Sequence, residues 1–238
     1  EADPDTARFS GGLMFGLNCL GRVREAQRDQ AGARRAFEES LNLARAQMRA
    51  HPGSMTAGLQ LAVALNDVGR MHDAAGDLAG ALRLFDEQLS MVRGMVDAQP
   101  GSAEVVRLLV VALTSVGVVR QADGDLDGAM EAFGESLELA RERLAQEPTS
   151  MLGLLDAYVA WDNIATVHFE RGDAQASRNA AEEAVAVARD LYETGSGRKV
   201  ARDNLANSLA FLADRCDELG DGEAAARART EGAVVEQS

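Results

Sequence analysis

The chain has 238 residues with 46% hydrophobic and 26% charged side chains, a soluble globular composition that excludes a disordered tail or a collagen-like fibre. Aromatic residues make up only 4%, while alanine, leucine, arginine and glutamate abound, which favours helix over short alternating strands. Lysine plus arginine number 24 against 38 acidic residues, a net charge of −14 that repels nucleic acid and anionic membranes over most of the surface.

All but one of the basic residues are arginine, the exception being Lys199, a bias that reads as a high-GC genome rather than as chemistry. The two cysteines, Cys19 and Cys216, lie near opposite ends and are too few for a disulfide framework. A reducing, cytoplasmic setting is the expectation. Val105 to Val119, the longest apolar stretch, is broken by Arg107, Thr114 and Ser115 and is too short to span a bilayer. No signal peptide opens the chain, and its start at Glu1 without a methionine reads as an excised segment with room for a domain upstream.

Self-similarity decides the architecture. Pro52, Pro100 and Pro148 are spaced by 48 residues, as are Asp29, Asp77, Asp125, Asp173 and Asp221. Phe37, Phe85 and Phe133 share that step, and so do Gly21, Gly69 and Gly117. The chain is therefore expected to be one domain, 1–238, of tandem units at 7–54, 55–102, 103–150 and 151–198, with a shorter unit from 199 to 238.

Each unit predicts two helices of ~20 residues, or roughly 30 Å each. In the first unit Gly11, Gly12 and Gly16 weaken the opening helix, each costing ~1 kcal/mol against alanine. That helix is expected to lean on an upstream domain or a second chain, with homodimerisation through Phe9, Leu13 and Met14. In the second unit Leu61, Leu65, Val68 and His72 form one stripe, and Ala75-Gly76-Asp77 turns the chain. A second stripe runs through Ala81, Phe85, Leu89, Val92 and Val96, and Gln99-Pro100-Gly101-Ser102 ends it. Glycine and aspartate suit the inner turn, and Ser54, Ser102 and Ser150 are placed to cap the following units. In the fifth unit Arg229 takes the phenylalanine position and Ala224-Ala225-Ala226 replaces bulkier residues, the polar outer helix of a natural end.

These residues resemble the tetratricopeptide repeat, whose pattern is W-x2-L-G-x2-Y…A-x3-F…P. Leu65, Val68, Gly69, His72, Ala81, Phe85 and Pro100 stand in those places in the second unit. The first unit offers Leu17, Leu20, Gly21, Arg24, Ala33, Phe37 and Pro52, and the third Leu113, Val116, Gly117, Arg120, Ala129, Phe133 and Pro148. The fourth is looser, with Trp161, Ile164, Ala165, His168, Ser177 and Ala181. The unit exceeds the family's 34 residues by two heptads, one per helix, which nearly preserves the facing stripe. The tyrosine position holds Arg24, His72, Arg120, His168 and Cys216, so packing there should be wetter than in the family.

The resemblance implies an all-α solenoid of about five antiparallel repeats in a right-handed superhelix. It also implies a protein-binding function, of the long-helix kind found in bacterial arrays attached to signalling effectors. In the family the first helix of each unit lines a concave groove, which here brings forward Asn18, Asn66, Thr114 and Asp162. A turn later come Arg22 and Arg70, then Gln121 and Phe169, with Phe15 and Val63 as an apolar strip alongside. Asparagine can donate to and accept from a peptide backbone, and arginine can grip a carboxylate. The family's carboxylate clamp needs repeated lysines, which this chain lacks before Lys199.

No catalytic constellation competes with this reading. His72 and His168 fall two units apart, roughly 20 Å at ordinary helix spacing, too far to share a metal. Thr194-Gly195-Ser196-Gly197-Arg198-Lys199 fails the spacing of a phosphate loop and aligns with the proline turns. The carboxylates are repeat-spaced solvated faces. No cofactor and no enzyme activity are expected. Two functions stay open: a module binding a peptide or protein in its groove, or a structural, regulatory or oligomerisation segment of a larger signalling protein with a separate effector.

Overall fold

The computed structural model describes residues 4–194 and 199–237, and side chains from residue 11 onward. Ten α-helices and no strand occur among the described residues: α1 Pro4–Ala26, α2 Gln30–Ala50, α3 Met55–Ala74, α4 Leu78–Ala98, α5 Ala103–Ala122, α6 Leu126–Gln146, α7 Met151–Glu170, α8 Ala174–Thr194, α9 Lys199–Glu218 and α10 Gly222–Gln237. The helices α3, α5, α7 and α9 begin at steps of 48 residues, as the ladders in the sequence imply. The fold is an all-α solenoid type of helix–turn–helix repeats. The chain divides into two compact units, Glu1–Asp123 and Gly124–Ser238.

In the first unit α2 packs on α1 and α3, and α4 on α3 and α5, while α1, α3 and α5 neighbour one another in a second layer. Its core unites Met14 of α1 with Phe37, Leu41 and Ala44 of α2 and Leu61, Leu65, Val68 and Met71 of α3. In the second unit Phe133, Leu137 and Ala140 of α6 meet Ala157, Ile164 and Val167 of α7 and Ala181 of α8. A further cluster joins Val185 and Ala188 of α8, Leu205 and Leu209 of α9, and Ala225 and Ala228 of α10.

Two devices shape the hairpins, the first of them in the first two repeats. The first is a close approach of glycine to phenylalanine. A Cβ added at Gly21 would stand 2.5 Å from Cε1 of Phe37, and one at Gly69 closer still to Cε1 of Phe85. Both rings are fully buried, each contributing about 1.5–3 kcal/mol of burial. The second device is the aspartate ladder. Asp29, Asp77 and Asp125 accept at 2.9 Å from the backbone N–H of Gly32, Gly80 and Gly128, and Asp173 and Asp221 do the same for Ala176 and Ala224. Each satisfies an orphan N–H of the helix it opens.

The residue before each aspartate is left-handed: Gly76, Gly124, Gly172 and Gly220 have φ between 75° and 85°. In the first turn Arg28 holds that place at φ 62°. Between units, Ser54 and Ser102 cap α3 and α5 through bonds of 3.4 Å to the N–H of Ala57 and Val105. Ser150 departs from expectation: it makes no side-chain cap, and its carbonyl alone enters α7 by accepting from the Leu154 N–H.

Some expected core positions differ. Leu20 is 41% exposed, whereas its equivalent Val68 is buried in one core with Leu41 and Ala44 of α2. On α4, Met95 rather than Val96 is the buried residue of the last turn. The tyrosine position carries a polar side chain in the first two repeats, while in the fifth Cys216 holds it buried. Arg24 is half-buried and donates to the carbonyl of Gly32 at 3.1 Å, and His72 meets the carboxylate of Asp77 at 2.7 Å. That bond holds the Asp77 carboxyl below its ordinary range.

Substituting Gly69→Ala is expected to destabilise the chain by about 1–3 kcal/mol, since the ring behind it has no room to yield. Arg28→Gly is expected to stabilise it by about 0.5 kcal/mol, the left-handed strain relieved less the greater unfolded freedom of glycine. Equilibrium urea unfolding of both variants against wild type measures the two shifts.

Candidate functional site

The first helices of the repeats carry the residues that the sequence brought forward, and the structure divides them between the two units. Phe15, Asn18, Arg22, Val63, Asn66, Arg70, Thr114 and Gln121 lie on α1, α3 and α5; Asp162 and Phe169 lie on α7.

In the first unit a cavity of about 250 Å³ opens between α1 and α3, lined by Gly11, Met14, Phe15, Asn18, Ser40, Leu59, Gln60 and Val63. Phe15 is 73% exposed at its mouth, and Val63 stands across from it at the edge of exposure. Two polar atoms in its lining have no hydrogen-bond partner although shut from solvent: Asn18 Oδ1 and Ser40 Oγ. Ser40 is 1% exposed. A buried polar atom left unpaired costs about 1–3 kcal/mol, a local weakness in the wall of the cavity. Ser40 was missed in the sequence, because it lies on a second helix, α2, and reaches the cavity only through packing.

One turn further along, the polar residues contact one another, although Arg22 and Arg70 remain largely exposed. Asn66 donates to Ser115 Oγ at 3.2 Å, and Arg70 reaches both carboxylate oxygens of Glu25 at 3.3 Å. Arg22 lies 3.8 Å from the carboxylate of Asp67. The arginines expected to grip a ligand carboxylate are thus already engaged by Glu25 and Asp67. Thr114 turns back to the carbonyl of Val110 at 2.9 Å.

Asp67 was overlooked in the sequence because neighbouring repeats place Cys19, Ser115, Asn163 and Phe211 in its register, so no ladder marks it. It is 2% exposed, with Oδ2 unpartnered. Burial pushes its carboxyl above the ordinary range, against the pull of Arg22 and Arg70.

In the second unit Asp162 is half-buried, and desolvation raises its carboxyl as well. Phe169 is no open platform. Phe211 meets it edge-on at 6.4 Å, and the buried guanidinium of Arg215 lies 3.9 Å over its ring while reaching Glu218 at 3.0 Å. Arg215 occupies the register held elsewhere by Met71, Val119 and Val167, so the aromatic pair takes up a cation where other repeats have plain core.

The remaining chemistry-bearing residues sit apart. His51 is the C-cap of α2, and His168 Nδ1 is buried without a partner. Cys19 is exposed and Cys216 buried, both as free thiols, and burial raises the Cys216 thiol. Among the described residues no three His, Cys, Asp or Glu side chains converge on a metal site, and no helix is long and apolar enough to cross a membrane. The glycine-rich stretch at 195–198 lies outside the described residues, as does the side chain of Phe9. Met14, expected at a dimer interface, is 4% exposed and belongs to the core of its own unit.

A tetratricopeptide repeat family model matches residues 162–196. BtubC (BKLC) from P. vanneervenii is similar in structure, with a TM-score of 0.74, 14% identity, and coverage of 96% of this chain and 81% of that one. The apo form of RapI gives 0.68 at 13% identity over 94% of this chain and 70% of that one. A putative kinesin light chain from Podosopora anserina, with nearly identical TPR-like repeats, gives 0.67 at 13% identity over 94% of both chains. No curated protein matches the sequence. The molecule has the fold of tetratricopeptide-type arrays, as its residue ladders imply.

Asp67 supplies a pH test of the site. A carboxyl raised on folding favours the native state at low pH, and that contribution is lost as pH rises through its folded value. Its partner Arg22 is two-thirds exposed, so the ion pair returns little. Asp67→Asn is therefore expected to raise the urea midpoint at pH 7, with the gain shrinking as pH falls and the wild-type carboxyl protonates. Urea melts at a series of pH values check this.

Proposed function

We propose that this array is a non-catalytic protein-binding module that takes a peptide segment of a protein partner against the first helices of its first unit. The cavity between α1 and α3 supports this most directly, because it joins an apolar lining to two unsatisfied polar atoms. An apolar side chain from the partner enters between Phe15 and Val63. Anchors of this kind dominate the energy of peptide recognition, while the surrounding contacts exclude water.

The engaged arginines shift the weight of recognition from charge to the apolar pocket. A partner that merely offers a carboxylate would have to break the Arg70–Glu25 contact. The net charge of −14 favours neutral or basic partners over nucleic acid. The module works in the cytoplasm, where the exposed thiol of Cys19 stays reduced.

A display library of random linear peptides, selected on the whole chain, tests the reading. Enriched peptides are expected to carry an apolar anchor and to bind Val63→Arg at least about tenfold more weakly. They should retain full affinity for Asp86→Ala, an exposed change on α4. Equal binding to wild type and Val63→Arg would overturn the assignment.

A further inference from the structure

In the lining of the cavity between α1 and α3, one residue breaks the register of the array. That residue is Gly11. One period on, its position holds Leu59, and the periods after that hold Arg107, Leu155 and Asp203. Every other repeat puts a side chain where the first has none.

Two other exchanges in the lining offset each other. Met14 and Ser40 stand where the second repeat has Ala62 and Gln88, a large residue and a small one against a small and a large. All four are buried, so the pair conserves bulk while the loss at Gly11 is not made good. Phe15, 73% exposed, stands at the mouth rather than within.

A Cβ built at Gly11 would come 3.2 Å from Nε2 of Gln60, another lining residue, so a side chain at this position enters the cavity. Gly12 gives the contrast: it is exposed, and a Cβ there would meet nothing within 4 Å. Glycine inside a helix is less stable than leucine in the same place. The first repeat thus gives up helix stability at Gly11 and keeps a pocket open.

We infer that Gly11 is the specificity-determining residue of this pocket and that the anchor it admits is an aromatic side chain, an inference that rests on the peptide-binding reading above. The cavity of about 250 Å³ exceeds the ~150 Å³ that holds a benzene ring in a protein core. A leucine or isoleucine leaves part of that space empty and forfeits the contacts that would fill it. Met14, Leu59 and Val63 make apolar walls, and no lining residue is charged, so the occupant is neutral. The exposed Phe15 ring offers a second ring an edge-on or offset contact that an aliphatic side chain does not make.

Indole, titrated into the whole chain and followed by NMR, probes the pocket without any peptide. Wild type and Gly12→Leu are expected to bind it alike, and Gly11→Leu at least about tenfold more weakly. Both leucine variants should raise the urea midpoint, because each removes a glycine from a helix, so a loss at Gly11→Leu does not come from unfolding. Peptides selected on the whole chain should carry tryptophan or phenylalanine as their anchor and lose roughly tenfold on Gly11→Leu as well. Indole that binds Gly11→Leu as tightly as wild type, or that fails to bind wild type, would overturn the inference. Peptides with an aliphatic anchor that lose affinity for Val63→Arg and not for Gly11→Leu would also overturn it, while leaving the peptide-binding reading in place. Indole binding that depends on Gly11, beside peptides indifferent to Val63→Arg, would sustain Gly11 as the gate of an aromatic site and remove the peptide-binding reading instead.

Discussion

In the first two repeats the contact of a helix glycine with a phenylalanine sixteen residues later is the constraint from which the packing follows. At Gly21–Phe37 and Gly69–Phe85 the ring occupies the space where a Cβ would stand. This fixes how near the two helices of a repeat approach and which residues of each face the next repeat. Interiors packed at crystal density do not absorb a methyl group without moving something. A glycine that would weaken an isolated helix therefore sharpens the hairpin here.

The turn keeps its length even where Ala181 and Arg229 replace the ring. Three residues lie between the helices of each repeat, and they must reverse the chain and satisfy its loose backbone groups. The N–H of four of the five capping aspartates returns to the carbonyl five residues earlier: Asp29 to Arg24, Asp77 to His72, Asp173 to His168 and Asp221 to Cys216. The acceptor in every case is the residue at the family's tyrosine position. A polar side chain is tolerable there because it borders the cap rather than dry core. His72 goes further and hydrogen-bonds the capping carboxylate itself. The departure from the family pattern is thus local chemistry replacing packing.

The sequence showed what recurs at the period and hid what does not. Proline, aspartate, glycine and phenylalanine ladders place the helix starts and turns, because each position acts through its near neighbours in the chain. The pocket was half legible: Phe15, Asn18 and Val63 follow from the register of the first helices. Ser40 does not, since it enters from α2 across a packed interface. Long side chains were the least legible. Nothing in a periodic alignment says that Arg70 spans to Glu25, that Asp67 is buried beside Arg22, or that Arg215 lies over Phe169. Such pairs depend on which rotamer finds a partner a whole repeat away, and the partners are not themselves repeated.

The register keeps its apolar character on some elements and gives it up on others. α10 holds Arg229 and Glu236 where α2 has Phe37 and Ala44, and both are exposed, with Arg229 paired to Asp214 and Asp217. On α1 Leu13, Leu20 and Val23 stay apolar like Leu61, Val68 and Met71 one period on, although they are 41–52% exposed. A charged side chain at the ring position leaves no apolar surface to cover, whereas three apolar side chains in a row do, so water costs α10 less than it costs α1.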